Sequence, residues 1–145
     1  MNKNLKITTL IIFLVFSANI ALSEENFFDE ALKMYQDKEY DDARFLLERN
    51  IVFNPKDAKS YLYLAKIYNF QENEKEEEKN LNPTLLLEPD NEEAMYMLIN
   101  IYLKKSNYQK IKELKENFSV ICANLCEKIK TIDAALKNIE PKNES

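Results

Sequence analysis

Few side chains in this sequence are suited to chemistry, and what is missing narrows the function as much as what is present. Histidine and glycine are both absent. Without histidine there is no imidazole acid–base catalysis and no imidazole metal ligand, and without glycine no Gly-rich phosphate loop can form. The soft ligands are Cys122 and Cys126, and two thiolates unsupported by imidazole make a poor metal site, so no metal is expected. On one continuous helix their β-carbons would stand about 5–6 Å apart, beyond the roughly 3.5–4.5 Å that a disulfide requires. Asn124 followed by Glu127 reads as a capping box, which puts a turn between the two cysteines and would bring them together. A disulfide and a pair of buried thiols stand about even as readings of this pair. Five glutamates fall between Glu72 and Glu78, but their spacing is unlike that of a calcium loop, and they read as a solvated helix face. No nucleophile–base pair and no carboxylate pair sits in a recognisable motif, so neither catalytic residues nor a cofactor are expected.

The 145 residues are 46% hydrophobic and 31% charged, enough for one modest domain. The net charge is −5. Residues 1–23 carry Lys3 and Lys6, an apolar run from Leu10 to Phe16, and Ala21 and Ser23 at the positions a signal peptidase reads. They are read as a cleaved secretory signal peptide. The alternative is an uncleaved membrane anchor, for which the run is short of the roughly 20 residues that span a bilayer. Cleavage after Ser23 leaves 18 basic against 25 acidic side chains, net −7. That sign is wrong for a nucleic-acid binder, and no membrane association is expected of the mature chain.

What positions these residues is a repeat. The segment 58–65 superposes without a gap on 92–99, and Pro55 stands 34 residues before Pro89. A period of this length marks a helical repeat array. In the first copy, Phe27, Phe28, Ala31, Met34 and Tyr35, and then Tyr40, Ala43, Leu47 and Ile51, recur at steps of three and four, predicting two amphipathic helices. Only a tight turn fits between them at residues 37–39, so they must be antiparallel. Pro55 ends the second helix and Asp57 is available to cap the next. Asp90 with Glu93, and Ser106 with Gln109, form capping-box patterns ahead of two further helices. Leu125, Ile129, Ile132, Leu136 and Ile139 continue the spacing, predicting a last helix over 124–139 that caps the array, with 140–145 a polar tail. One segment conflicts with the pattern. Residues 73–83 are mostly charged and end on Pro83, and an interior proline costs about 3 kcal/mol. A break near Asn82 is therefore predicted, with 84–88 resuming as a separate turn.

The spacing resembles the tetratricopeptide repeat, in copies at 24–57, 58–91 and 92–125. Phe27, Ala31, Ala43 and Pro55 occupy its signature positions in the first copy; Tyr61, Leu64, Ala65, Tyr68 and Pro89 in the second; Met95, Leu98, Tyr102 and Tyr108 in the third. Glu30, Met34, Glu77, Ile99 and Ala123 depart from it. The resemblance implies an all-α superhelical array of antiparallel helix pairs over 24–139. It also implies a concave groove lined by the first helix of each repeat, holding Phe28, Leu32, Tyr35, Leu62, Lys66, Asn69, Tyr96, Asn100 and Leu103. Such a surface suits a protein or peptide partner. The variant of the family that clamps a C-terminal carboxylate uses basic and amide groups where this chain has Phe28, Leu32, Tyr63, Glu93 and Met97, which disfavours that activity. The expected function is an exported adaptor or assembly scaffold in the cell envelope, with the bacterial periplasm as its compartment and a secreted or anchored form as the alternative. A self-associating structural protein is the second reading.

Overall fold

In the computed structural model, which describes residues 27–140, seven helices follow one another with no strand among the described residues. They are α1 (Phe27–Gln36), α2 (Tyr40–Phe53), α3 (Ala58–Phe70), α4 (Glu74–Leu87), α5 (Glu92–Lys104), α6 (Tyr108–Ile121) and α7 (Lys128–Ile139). Neighbours in sequence pack as pairs, giving three hairpins and a final helix against α6, an all-α array of the tetratricopeptide type. Residues 1–23, read as a signal peptide, and most of the expected polar tail lie outside the described residues.

The 34-residue period reappears in the backbone. The amides of Glu39, Asn73 and Asn107 donate to the carbonyls of Met34, Tyr68 and Tyr102 at 2.9, 2.9 and 3.0 Å, the six-to-one bond of a Schellman turn. The residues before them, Lys38, Glu72 and Ser106, have φ of 65°, 55° and 51°. Glycine is favoured in this left-handed region; in a chain that has none, each position holds a residue with a β-carbon at a cost of roughly 1–2 kcal/mol. Caps follow the same register, one residue later than the sequence pattern implies. Asn91, not Asp90, accepts the amide of Ala94, and Asn107, not Ser106, accepts that of Lys110, because Ser106 is consumed by the left-handed turn.

The predicted break at Asn82 is absent: α4 runs through Pro83 without interruption. Proline removes a donor near the end of the helix, and Thr84 Oγ1 reinforces the next carbonyl by donating to Asn80 O at 2.9 Å. Asn80 Nδ2 likewise donates to Glu76 O at 2.8 Å. Leu81 and Thr84 are fully buried on either side of the proline, so packing onto neighbouring helices holds the segment helical against its local preference.

The core has two centres joined at α3. Leu64 and Ile67 pack toward the first hairpin with Ala31, Ala43 and Leu47. Leu62 and Ala65 pack toward the last, with Leu81, Leu98, Ile99, Ile111 and Phe118. A buried polar triad fixes the first junction: Asn50 Nδ2 donates to Asp57 Oδ2 and to Ser60 Oγ at 2.8 Å each, and Ser60 Oγ donates to Asp57 Oδ2 at 2.6 Å. Asp57 begins α3 as expected, but its carboxylate serves this triad and caps no amide.

The third inter-repeat turn lacks the proline of the first two. Proline has no N–H to satisfy; Ala123 in its place has one, and the Glu92 carboxylate accepts it at 2.7 Å. The same carboxylate accepts the amides of Asn124 and Leu125 and the side chain of Asn124. Asn124 therefore does not cap the last helix, which begins at Lys128 after Glu127. Cys122 and Cys126 close this turn as a disulfide with Cα atoms 5.2 Å apart. Helix α7 is then seated by Ile132 and Leu136 and by Lys115 Nζ to Asp133 Oδ1 at 2.7 Å.

Candidate binding face

Of the nine residues expected along the groove, Phe28, Tyr35 and Lys66 converge on an aromatic wall. Phe28 and Tyr35 on α1 meet Tyr63 on α3 edge-on, with ring centroids 5.7 and 5.0 Å apart. Tyr35 also meets Tyr40 at 5.6 Å, and Tyr40 lies against Phe70 at 4.5 Å. Phe28, Tyr35 and Tyr63 recur on their helices at steps that keep them on the side where α1 and α3 lie together. The three pairs among Phe28, Tyr35, Tyr40 and Tyr63 have the favourable edge-to-face geometry, while the Tyr40 and Phe70 rings are tilted by 44°. Phe70 remains 66% exposed, leaving this end of the wall open to solvent, and Leu32 on α1 is half-buried. Burial raises the Tyr35 phenol above its ordinary pKa, so it stays a neutral donor across the physiological range.

Lys66 closes the wall on the side of the third repeat. Its ammonium lies 4.7 Å from the centre of the Tyr63 ring and pairs with Glu93 Oε1 at 2.8 Å. This combination of a cation–π contact and an ion pair joins α3 to α5. Asn69 is exposed, but its amide is already engaged, Nδ2 donating to Glu77 Oε1 at 2.9 Å. Glu77, in the place where the repeat pattern has alanine, is 1% exposed, and burial raises its carboxyl pKa, opposed by the Asn69 hydrogen bond and the nearby Lys104 charge.

The remaining groove positions are less available. Leu62 is buried in the C-terminal core centre, covered by the repeat that follows it. The Tyr96 ring lies tilted against Phe118 with centroids 6.0 Å apart, and Leu103 packs against the same centre, while Asn100 is half-buried. The accessible aromatic surface thus belongs to repeats one and two. Tyr40 and Phe70, absent from the expected set, complete it. Their signal is the turn-flanking aromatic at each helix end, which only the stacking of α2 against α3 turns into a contact.

A separate network binds repeats two and three. Glu78 accepts from Tyr102 OH and from Lys105 Nζ, both at 2.6 Å, and Lys105 also pairs with Glu74 at 3.3 Å. The Lys105 and Tyr102 hydrogen bonds hold the Glu78 carboxyl below its ordinary pKa. The glutamate run is therefore not a bare solvated face, since three of its members are tied to other helices. Among the described residues no cluster of three or more Cys, Asp or Glu is placed to hold a metal ion, and no helix is long and apolar enough to cross a membrane.

No family model matches the sequence, and no curated protein is similar to it at a significant level. Solved structures do match in fold. A chain of the CopN-Scc3 complex superposes with a TM-score of 0.66 at 20% identity, covering 79% of this chain and 78% of that one. At that identity the likeness is one of fold: this chain is an all-α array of paired helices similar in architecture to a component of that complex.

Proposed function

We propose that this chain is a protein-binding scaffold, exported to the cell envelope, that takes a partner segment along the aromatic wall of its first two repeats and performs no catalysis. The observation that carries the reading is the wall itself. Five rings from α1, α2 and α3 stand in a continuous series ending on the exposed Phe70. Aromatic side chains of this kind supply most of the energy of peptide and protein recognition. The similarity in fold to a component of a protein complex supports the same reading. Export, with the bacterial periplasm as compartment, rests on residues 1–23 alone.

The test is affinity capture from the native envelope with the mature chain, followed by mass spectrometry and repetition with Tyr40→Ala and Phe70→Ala. Both variants are expected to lose the captured protein and keep their helicity. Unchanged capture by both would remove the aromatic wall from the binding site.

A further inference from the structure

The large apolar side chains most exposed to solvent occupy a single repeat position. Val52, Leu86 and Val120 are 77, 81 and 84% exposed, and they stand 34 residues apart near the C-terminal ends of α2, α4 and α6. A lone exposed aliphatic is ordinary. Three at one repeat position are different, because stacking places equivalent positions in a row along the array. The fold does not require apolar residues there, since side chains this exposed contribute nothing to the core. The position one residue on, Phe53, Leu87 and Ile121, is also apolar; Ile121 packs against the core, and Phe53, itself 70% exposed, lays its ring against Phe27. Beside Val120 lies a shallow cleft of about 350 Å³ between Leu85, Pro89, Met95 and Ile121.

The charges flanking the row indicate what covers it. Four residues before each aliphatic stand Glu48, Asn82 and Glu116; four after stand Lys56, Asp90 and Asn124, and all six are exposed. We infer that the row is the contact surface for a second copy of this chain, packed about a twofold axis that runs along the row. That axis sets Val52, Leu86 and Val120 on their own counterparts and reverses the helix direction. Each residue before the row then faces the residue after it in the other copy. The pairs so formed are Glu48 with Lys56, Asn82 with Asp90 and Glu116 with the second amide hydrogen of Asn124, whose first goes to Glu92 in the same chain, every one an acid with a base or an amide. The alternative twofold axis, parallel to the helices, would set Glu48 against Glu116 and Asp90 against itself. Self-complementarity of this kind is what an isologous interface requires. The surface is distinct from the aromatic wall, so both can be occupied at once.

Sedimentation of the mature chain over a micromolar to millimolar series should show a monomer–dimer equilibrium, and Leu86→Asp, which puts two like charges on the axis, should leave only monomer with unchanged helicity. Geometry is read by a short bifunctional maleimide applied with the native disulfide intact. Leu86→Cys, Val52→Cys and Val120→Cys should each cross-link to themselves, and a mixture of the last two should give no 52–120 product. A monomer throughout the series, or 52–120 as the main product, overturns the proposal. Leu86→Asp should still capture the partner of the aromatic wall, so failure here is distinguishable from failure of that reading.

Discussion

Replacing Pro83 by alanine asks how much of α4 is held by its neighbours. An interior proline is about 3 kcal/mol worse than alanine in a helix, but Pro83 lies only four residues before the helix ends at Leu87, where the lost bond counts for less. Alanine restores one backbone hydrogen bond, a net gain of about 0.5–1.5 kcal/mol, and relieves the ring's clash with the preceding turn. Against this, alanine frees the unfolded chain, which costs about 0.4–1 kcal/mol. These two effects nearly offset each other, and relief of the clash leaves a net stabilisation of up to about 1 kcal/mol. For a domain of this size that is a rise in Tm of up to about 4 °C.

The assay is thermal unfolding by circular dichroism together with native-state hydrogen exchange over 74–87. Exchange should slow in that segment and stay unchanged in 58–70. If Tm does not move, burial of Leu81 and Thr84 already supplies all the constraint the helix needs. A fall in Tm would mean that the half-buried ring packs better than a methyl group, and the assignment of the proline as a residual weak point would be wrong.

Four further outcomes follow from the same contacts. Burial raises the Glu77 carboxyl pKa, so its contribution to stability falls as pH rises from the ordinary carboxylate range through its elevated folded value; Glu77→Gln, which keeps a partner for Asn69, should raise Tm at neutral pH and flatten this part of the pH profile. The Glu92 pKa is lowered to about 2, chiefly by the Ala123 amide, from an ordinary 4.5. Its stabilisation is therefore complete above pH 4.5 and lost as pH falls toward 2, and in Glu92→Gln the acid limb of a Tm-versus-pH curve should shrink. Reducing the Cys122–Cys126 disulfide with a dithiol should cost about 2 kcal/mol by the loop-entropy relation for so short a loop, read as a lower midpoint in urea. Ser106→Gly relieves a left-handed φ of 51° and should stabilise by up to about 1 kcal/mol, whereas glycine at the helical Ser119 should destabilise by a few tenths.

The period and the helix pairs were legible because both are local: apolar residues at steps of three and four and two prolines 34 residues apart need no knowledge of what lies opposite. The aromatic wall was half legible. Phe28 and Tyr35 could be placed by repeat position, but Tyr40 and Phe70 belong to it only because α2 and α3 pack side by side, a contact between residues 30 apart. Leu62 shares a helix face with Lys66, and nothing in the sequence shows that the third repeat covers one and leaves the other at the edge. Pro83 shows the limit most clearly. Its local cost was read correctly, yet the burial of Leu81 and Thr84 is tertiary and outweighs it.

The third turn shows how one departure from the repeat is absorbed by another residue rather than by the turn. Where Pro55 and Pro89 present no donor, Ala123 presents one, and without a partner that amide would compete for water at the base of the last helix. Glu92, at the start of α5, supplies the acceptor at 2.7 Å and extends it to the next two amides. The disulfide holds the same five residues in the curved form that points three successive N–H groups at one carboxylate. Glu92 and the disulfide therefore act on one object, the junction between the third repeat and α7. Their losses should be coupled: Glu92→Gln in the reduced protein should cost less than in the oxidised one. A double cycle in urea that finds strict additivity would show that the turn keeps its shape without the covalent bond, and that Glu92 and the disulfide act independently on the junction.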